Sequence, residues 1–376
     1  MWDWAKNAVG ITEPIYGPSA IQSVTEQTQH TPYTELTKDD LAWERMDTTN
    51  VETKTFYMLS DEGRLGMAQI IYSNVLGVRT TAQFTSKVFS SEPGKNDHRW
   101  SSDNIHHFSF SPDRQNFLAD ACSMELSADG TSYAIKGRMD PRHSNVVDLT
   151  FTRLAPGIAI GKNGTTSFGT DPAKPWGRMK HLFWPRCRVS GTIVTPDGTE
   201  VNFTGKGMFV HALQGMKPHF AAARWNFGLF QGPTMSAFVM EFTTPKSYGE
   251  TVVSVGAVVR DDGIVVAGAQ KVRHSSVKGD PKNDWPEPGA VEFGWEGEDE
   301  EGRVVKARMA TELVERADRV DVMGELPKFV KQIVAGASGT KPYIYQYTPK
   351  ITLEVDEGGE KKEEEGRLFM EATFIS

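Results

Sequence analysis

The sequence predicts an all-β protein: two tandem antiparallel β-barrels behind an N-terminal amphipathic helix, with few other helices, all short. Three observations carry that prediction. Short β-branched and aromatic runs, separated by turn residues, recur along both halves of the 376 residues. A Gly- and Pro-rich stretch at 155–186 divides the two series. Ahead of Pro14, the segment MWDWAKNAVGITE segregates apolar from polar side chains at helical spacing.

In that segment Met1, Trp2, Trp4, Ala5, Ala8, Val9 and Ile11 share one half of the helical wheel, and Asp3, Lys6, Asn7 and Gly10 share the other. Acid and base are both present on the polar side, so this is no polybasic anchor. Met1, Trp2, Trp4, Ala5, Val9 and Ile11 are expected to hold a membrane by apolar insertion at the headgroup boundary, weakly and reversibly. The same pattern also fits a helix packed on its own domain. Residues 14–36 are rich in Thr, Gln, Ser, Tyr and Pro without period, which reads as a linker or a surface-draped arm. Thr37-Lys38-Asp39-Asp40 resembles a capping box opening a short helix through Trp43.

Strands are then expected at 53–59, 66–73, 78–89, 105–110, 116–121, 132–136 and 146–154, with Asp129-Gly130 as a hairpin turn. Beyond the crossing segment they resume at 189–195, 200–209, 221–231, 235–243, 251–260, 264–269, 290–296, 303–313, 319–325, 343–355 and 367–375, with Pro196-Asp197-Gly198 as a turn. One late helix is expected, with Pro327 in its first turn, Phe329, Val330, Ile333 and Val334 on one face, and Gly336 as its cap. The domains are therefore 1–36 (helix and linker), 37–186 and 187–376. A barrel of about eight strands can shelter one small apolar ligand inside. The charge clusters at 297–301 and 360–365 read as solvated hairpin tips.

A net charge of −8 disfavours a phosphate-neutralising surface, and so nucleic acid as a partner. Cys122 and Cys187 are too few for a disulfide framework and no secretory leader pattern opens the sequence, so a reducing, cytosolic compartment is expected. No apolar run approaches the 20 or so residues that span a bilayer. Nucleotide-loop, dinucleotide and zinc signatures fail, and adjacent His106 and His107 on a strand would point to opposite faces. No metal, cofactor or catalytic constellation is called for.

The densest mixture of polar and aromatic groups is FVHALQGMKPH at 209–219, leading into Arg224-Trp225-Asn226-Phe227. His211, His219, Arg224, Trp225 and Phe227, with Phe108 and Phe110, are the ligand-pocket candidates. Donors beside an aromatic strand can hold an amide or hydroxyl headgroup while a barrel interior takes alkyl chains. They can equally form a buried inter-domain hydrogen-bond network.

The segments HALQGMKPHFAAARWNF, MEFTTPKSYG, PWGRMKHLFWPRC, TNVETKTFY and GTKPYIYQY closely resemble the fungal survival factor 1 family, and the likeness runs from EPIYG to the last strands. The resemblance implies two lipocalin-like domains that bind ceramide or a related sphingolipid. It further implies non-vesicular transfer from endoplasmic reticulum to Golgi, in support of survival under oxidative stress. The implied protein is a cytoplasmic monomer, peripheral to those membranes through its N-terminal helix, with the nucleus a further compartment. No catalytic residues carry over from the family. The tandem-barrel architecture also resembles carotenoid 1,2-hydratases and fungal pericyclases, so the alternative is an enzyme acting on an apolar, polyene-like substrate with His211, His219 or Arg224 as polar catalysts.

Overall fold

The first sheet turns at Asn50–Ser60, where side chains alternate between two apolar environments: Phe56 and Met58 enter its own core, whereas Tyr57 packs on the second sheet. The computed structural model describes residues 14–75, 77–90, 95, 97–299, 301–325 and 342–376. The expected helices at 1–13 and 327–336 lie outside the described residues. The main path of the first sheet runs Arg99–Ile105, Arg79–Val88, Leu65–Val75, Asn50–Ser60, Gly205–Gln214, Gly177–Val194, Val146–Arg153, Ser132–Arg138, Cys122–Leu126, Phe117–Leu118 and Ser109–Phe110. Among the described residues no ladder joins its two ends, so it is a half-barrel.

The second sheet closes. Arg224–Gln231, Met235–Thr243, Val252–Arg260, Gly263–Gly279, Pro286–Glu298, Val304–Glu312, Lys350–Glu357 and Glu360–Phe374 follow one another, and the last pairs with the first from Arg224↔Phe374 to Gln231↔Arg367. Closure removes the exposed edges that a flat sheet would present. Tyr343–Tyr347 and Arg316–Asp321 extend this sheet beside its last strand.

Several expected elements are found with altered form. The Thr37 backbone N–H and hydroxyl both donate to Asp40 Oδ2, at 2.8 and 2.7 Å, but the helix that follows is a single turn, Asp39–Leu41, begun at Lys38 without a side-chain cap bond. The segment after Pro14 buries Ala20, Ile21 and Val24 in the apolar cluster between the sheets and contributes two strands, Ile21–Gln22 and Tyr33–Glu35. His106 and His107 lie outside any strand and are exposed, with His107 in the left-handed region at φ 51. Among the described residues no cluster able to hold a metal ion occurs.

The stretch around 177–186, read from the sequence as irregular, begins the long strand Gly177–Val194. Its pairing slips between Trp184 and Cys187, a bulge that accommodates Pro185, which has no N–H to give to the ladder. This strand and Gly205–Gln214 both belong to the first sheet, and the second begins at Arg224. The change of sheet therefore falls within 215–223, downstream of the expected 186/187 division.

Three apolar clusters result. Trp43, Phe56, Phe84, Tyr133, Trp184 and Phe209 fill the first sheet's interior, and Phe230, Phe293, Trp295, Met309, Tyr345 and Tyr347 fill the second's. Bulky rings line both interiors. The third cluster is the seam between the sheets, where Met179, Phe183, Met208 and Val210 meet Phe227, Leu229, Phe238, Phe242 and Phe369.

Candidate functional site

The structure separates the sequence's candidates into two groups. Phe108, Phe110 and His211 gather in the first half-barrel, whereas His219, Trp225 and Phe227 lie in the seam. Arg224 is exposed at the start of its strand.

In the first group, His211 sits directly across the ladder from Lys54, and its Nε2 lies 2.7 Å from Glu52 Oε1. Glu52, fully buried, also accepts the backbone N–H groups of Glu44 and Arg45 at 2.8 and 2.9 Å. Burial alone would raise the Glu52 carboxyl pKa, but the hydrogen bonds and the neighbouring imidazole more than offset it and hold the pKa below the usual range. Burial pushes the His211 imidazole down despite Glu52. The pair is therefore a carboxylate accepting from a neutral ring. Lys54 Nζ donates to Leu41 O at 2.6 Å and Tyr133 Oη at 3.0 Å, and burial lowers its pKa to about 7.

An aromatic roof covers these groups. Trp43 is held by its backbone N–H to Arg114 O at 2.8 Å and packs on His211 and Phe110, with centroids 5.9 and 5.4 Å away. Phe110, Phe108 and Tyr72 complete the cover against Phe117. Phe108 and Phe110 are half-buried and neighbouring Leu118 is 39% exposed, because Ser109–Phe110 and Phe117–Leu118 are the last strands before the sheet's open side.

In the seam, Trp225 packs between Phe242 and His181, and Phe227 stacks on Tyr57 at 5.0 Å. His219 lies in the one-turn helix Pro218–Ala221 against Phe220, and burial lowers its pKa to about 4. His211, His219 and Arg224 thus occupy three different surroundings and do not converge on one reacting atom. Reasoning from sequence missed Trp43, Glu52, Lys54 and Tyr133. The available signal was NVETKTFYMLS, whose alternation puts Asn50, Glu52 and Lys54 on the face of Phe56 and Met58, where unpaired charge is costly.

A model of the Svf1 family matches residues 2–376. The chain belongs to the Svf1 family. It is 56% identical over 384 residues to ceramide-binding protein svf-1 of Neurospora crassa, with both chains fully covered. Ceramide-binding protein svf1 of Aspergillus fumigatus is 49% identical and SVF1 of Candida albicans 42%, again with complete coverage of each chain. Among solved structures, CghA with Sch210972 has a TM-score of 0.60 at 13% identity, covering 87% of this chain and 89% of that one. Kievitone hydratase from Nectria haematococca has a TM-score of 0.55 at 12% identity, covering 96% and 98%. At such identity these likenesses concern the fold alone.

Proposed function

We propose that this Svf1-family chain binds ceramide and carries it as a monomer through the cytosol from endoplasmic reticulum to Golgi membranes, and that this traffic supports survival under oxidative stress. The relatives' names, over full-length matches, support ceramide as the ligand. The observation that carries the structural reading is the half-buried aromatic roof over a neutral imidazole and a partly neutralised amine on the open side of the half-barrel. Alkyl chains bind where Phe108 and Phe110 yield, and the polar head meets the floor beneath. Sheltering several hundred Å² of lipid from water is worth on the order of 10 kcal/mol. The scattered positions of His211, His219 and Arg224 favour a carrier over an enzyme.

Incubation of the purified protein with ceramide-containing liposomes, followed by mass spectrometry of the lipid that stays with the protein, is expected to recover ceramide. Recovery of no sphingolipid overturns the reading. Reversible docking is assigned to residues 1–13, so Trp2→Glu with Val9→Asp is expected to move the protein entirely into the soluble fraction of lysed cells. Undiminished recovery with membranes removes that segment as the anchor.

A further inference from the structure

Among the described residues, Trp43 Nε1 and His211 Nδ1 are buried and have no hydrogen-bond partner. Buried polar atoms are nearly always satisfied, and an orphan costs about 1–3 kcal/mol. We infer that these two atoms are the headgroup subsite of the bound lipid, taking a hydroxyl or a secondary amide. This rests on the ceramide reading above and names the part of the lipid that the floor recognises.

The chemistry follows from the protonation pattern. Ionised Glu52 accepts from His211 Nε2, so that nitrogen carries the proton and Nδ1 keeps its lone pair. Protonating Nδ1 as well would make an imidazolium, which burial and facing Lys54 both oppose. The indole Nε1 is a donor only. One fixed donor and one fixed acceptor thus sit on rings whose centroids are 5.9 Å apart. Their complement is a neutral group offering an acceptor and a donor together, which hydroxyls and secondary amides do and carboxylates and phosphates do not.

Glu52 sets both halves of the subsite. One oxygen fixes the His211 tautomer, and its bonds to the Glu44 and Arg45 amides anchor the backbone immediately after Trp43. An anionic headgroup would approach this carboxylate beside a partly neutralised Lys54 amine; Lys180, whose charge also reaches His211, is paired with Glu44. His219 also has two unpartnered ring nitrogens, but they diverge from a single ring and cannot clasp one small group. At Trp43 and His211 the two atoms belong to separate rings that pack on each other, and Trp43 also packs on Phe110 and Phe117.

The test pairs a protein change with a ligand change. Affinity is measured for ceramide and for a ceramide methylated at its amide nitrogen and both hydroxyls, with wild type and with Trp43→Phe, which keeps a ring in the roof. Wild type is expected to prefer ceramide roughly ten- to a hundredfold, and Trp43→Phe to lose most of that preference. If wild type binds both lipids equally well, or Trp43→Phe keeps the full preference, the inference fails while the ceramide reading stands, and the two atoms hold a trapped water only. If wild type binds neither lipid, the ceramide reading itself fails. Should Trp43→Phe not fold, the wild-type comparison of the two lipids decides alone.

Discussion

Arg186 ties the two sheets together through one guanidinium. The bulge at Trp184–Cys187 aims it out of the first sheet, where Nη1 donates to Gly232 O, Met235 O and Ser236 Oγ at 3.1, 3.1 and 2.9 Å, and Nη2 to Pro233 O at 2.6 Å. Its Nε donates to Asp261, whose side chain is 59% exposed while that of Arg186 is wholly buried, so the carbonyl cage carries most of the compensation. Arg186→Met strips that cage of its donors and is expected to cost about 3–5 kcal/mol, read as a lower urea midpoint at unchanged slope. Lys54 makes a prediction of opposite character. Its folded pKa, about 7, lies below that of an unfolded lysine, so above pH 7 the unfolded chain holds a proton that the folded chain has released. Stability gained from this group therefore rises between about pH 7 and the ordinary lysine range. Denaturation of wild type and Lys54→Met at pH 7 and pH 9 is expected to show wild type gaining on the variant, and parallel behaviour would mean that Lys54 stays charged.

At the scale of single strands, legibility followed how cleanly each run was bounded by turn residues and kept free of them inside. Asn50–Ser60, Met235–Thr243 and the turns at Asp129-Gly130 and Pro196-Asp197-Gly198 were readable, because β-branched runs ended at residues made for turns. Gly177–Val194 was not, since burial on both faces along much of its length erases the period of two, and Pro185 and Gly191 mimic a loop. Gly191 is there for contact: at φ 118, an added Cβ would lie 2.1 Å from Asp148 O in the paired strand. Gly198, in its turn at φ 84, has nothing within 4 Å of that position. Gly191→Ala is expected to lower the thermal midpoint well beyond Gly198→Ala, whose cost is confined to about 1–2 kcal/mol of left-handed backbone strain. The site was legible in the same partial way. His211 stood out within FVHAL, but Glu52 lies 159 residues away and only register brings the two together. His219 and Trp225, close downstream of His211 in sequence, are carried into the seam by the one-turn helix Pro218–Ala221.

The whole molecule is held by a seam that is apolar at its centre and charged at one side. Lys87 of the first sheet reaches Asp318 and, at 2.7 Å, Gln346 of the second; Gln346 bonds Glu371, which Tyr57 also meets from the first sheet. Burial raises the Glu371 carboxyl pKa, against the lowering effect of Gln346, Lys87 and Tyr57. Separating the halves would expose Phe227, Leu229, Phe238, Phe242 and Phe369 together, a patch of the kind that drives association. Where the chain is divided then decides whether two fragments can find each other. A division at 186/187 severs Gly177–Val194 within its bulge and leaves Gly205–Gln214 attached to the wrong half, away from its partners in Asn50–Ser60. A division after Lys217 leaves both sheets with all their own strands and only the seam to re-form. Co-expressed fragments 1–217 and 218–376, tagged on one piece, are expected to co-purify as a soluble pair, whereas 1–186 and 187–376 are expected to precipitate. The reverse ranking would show that strand pairing re-formed across the cut, rather than the seam, holds two fragments together.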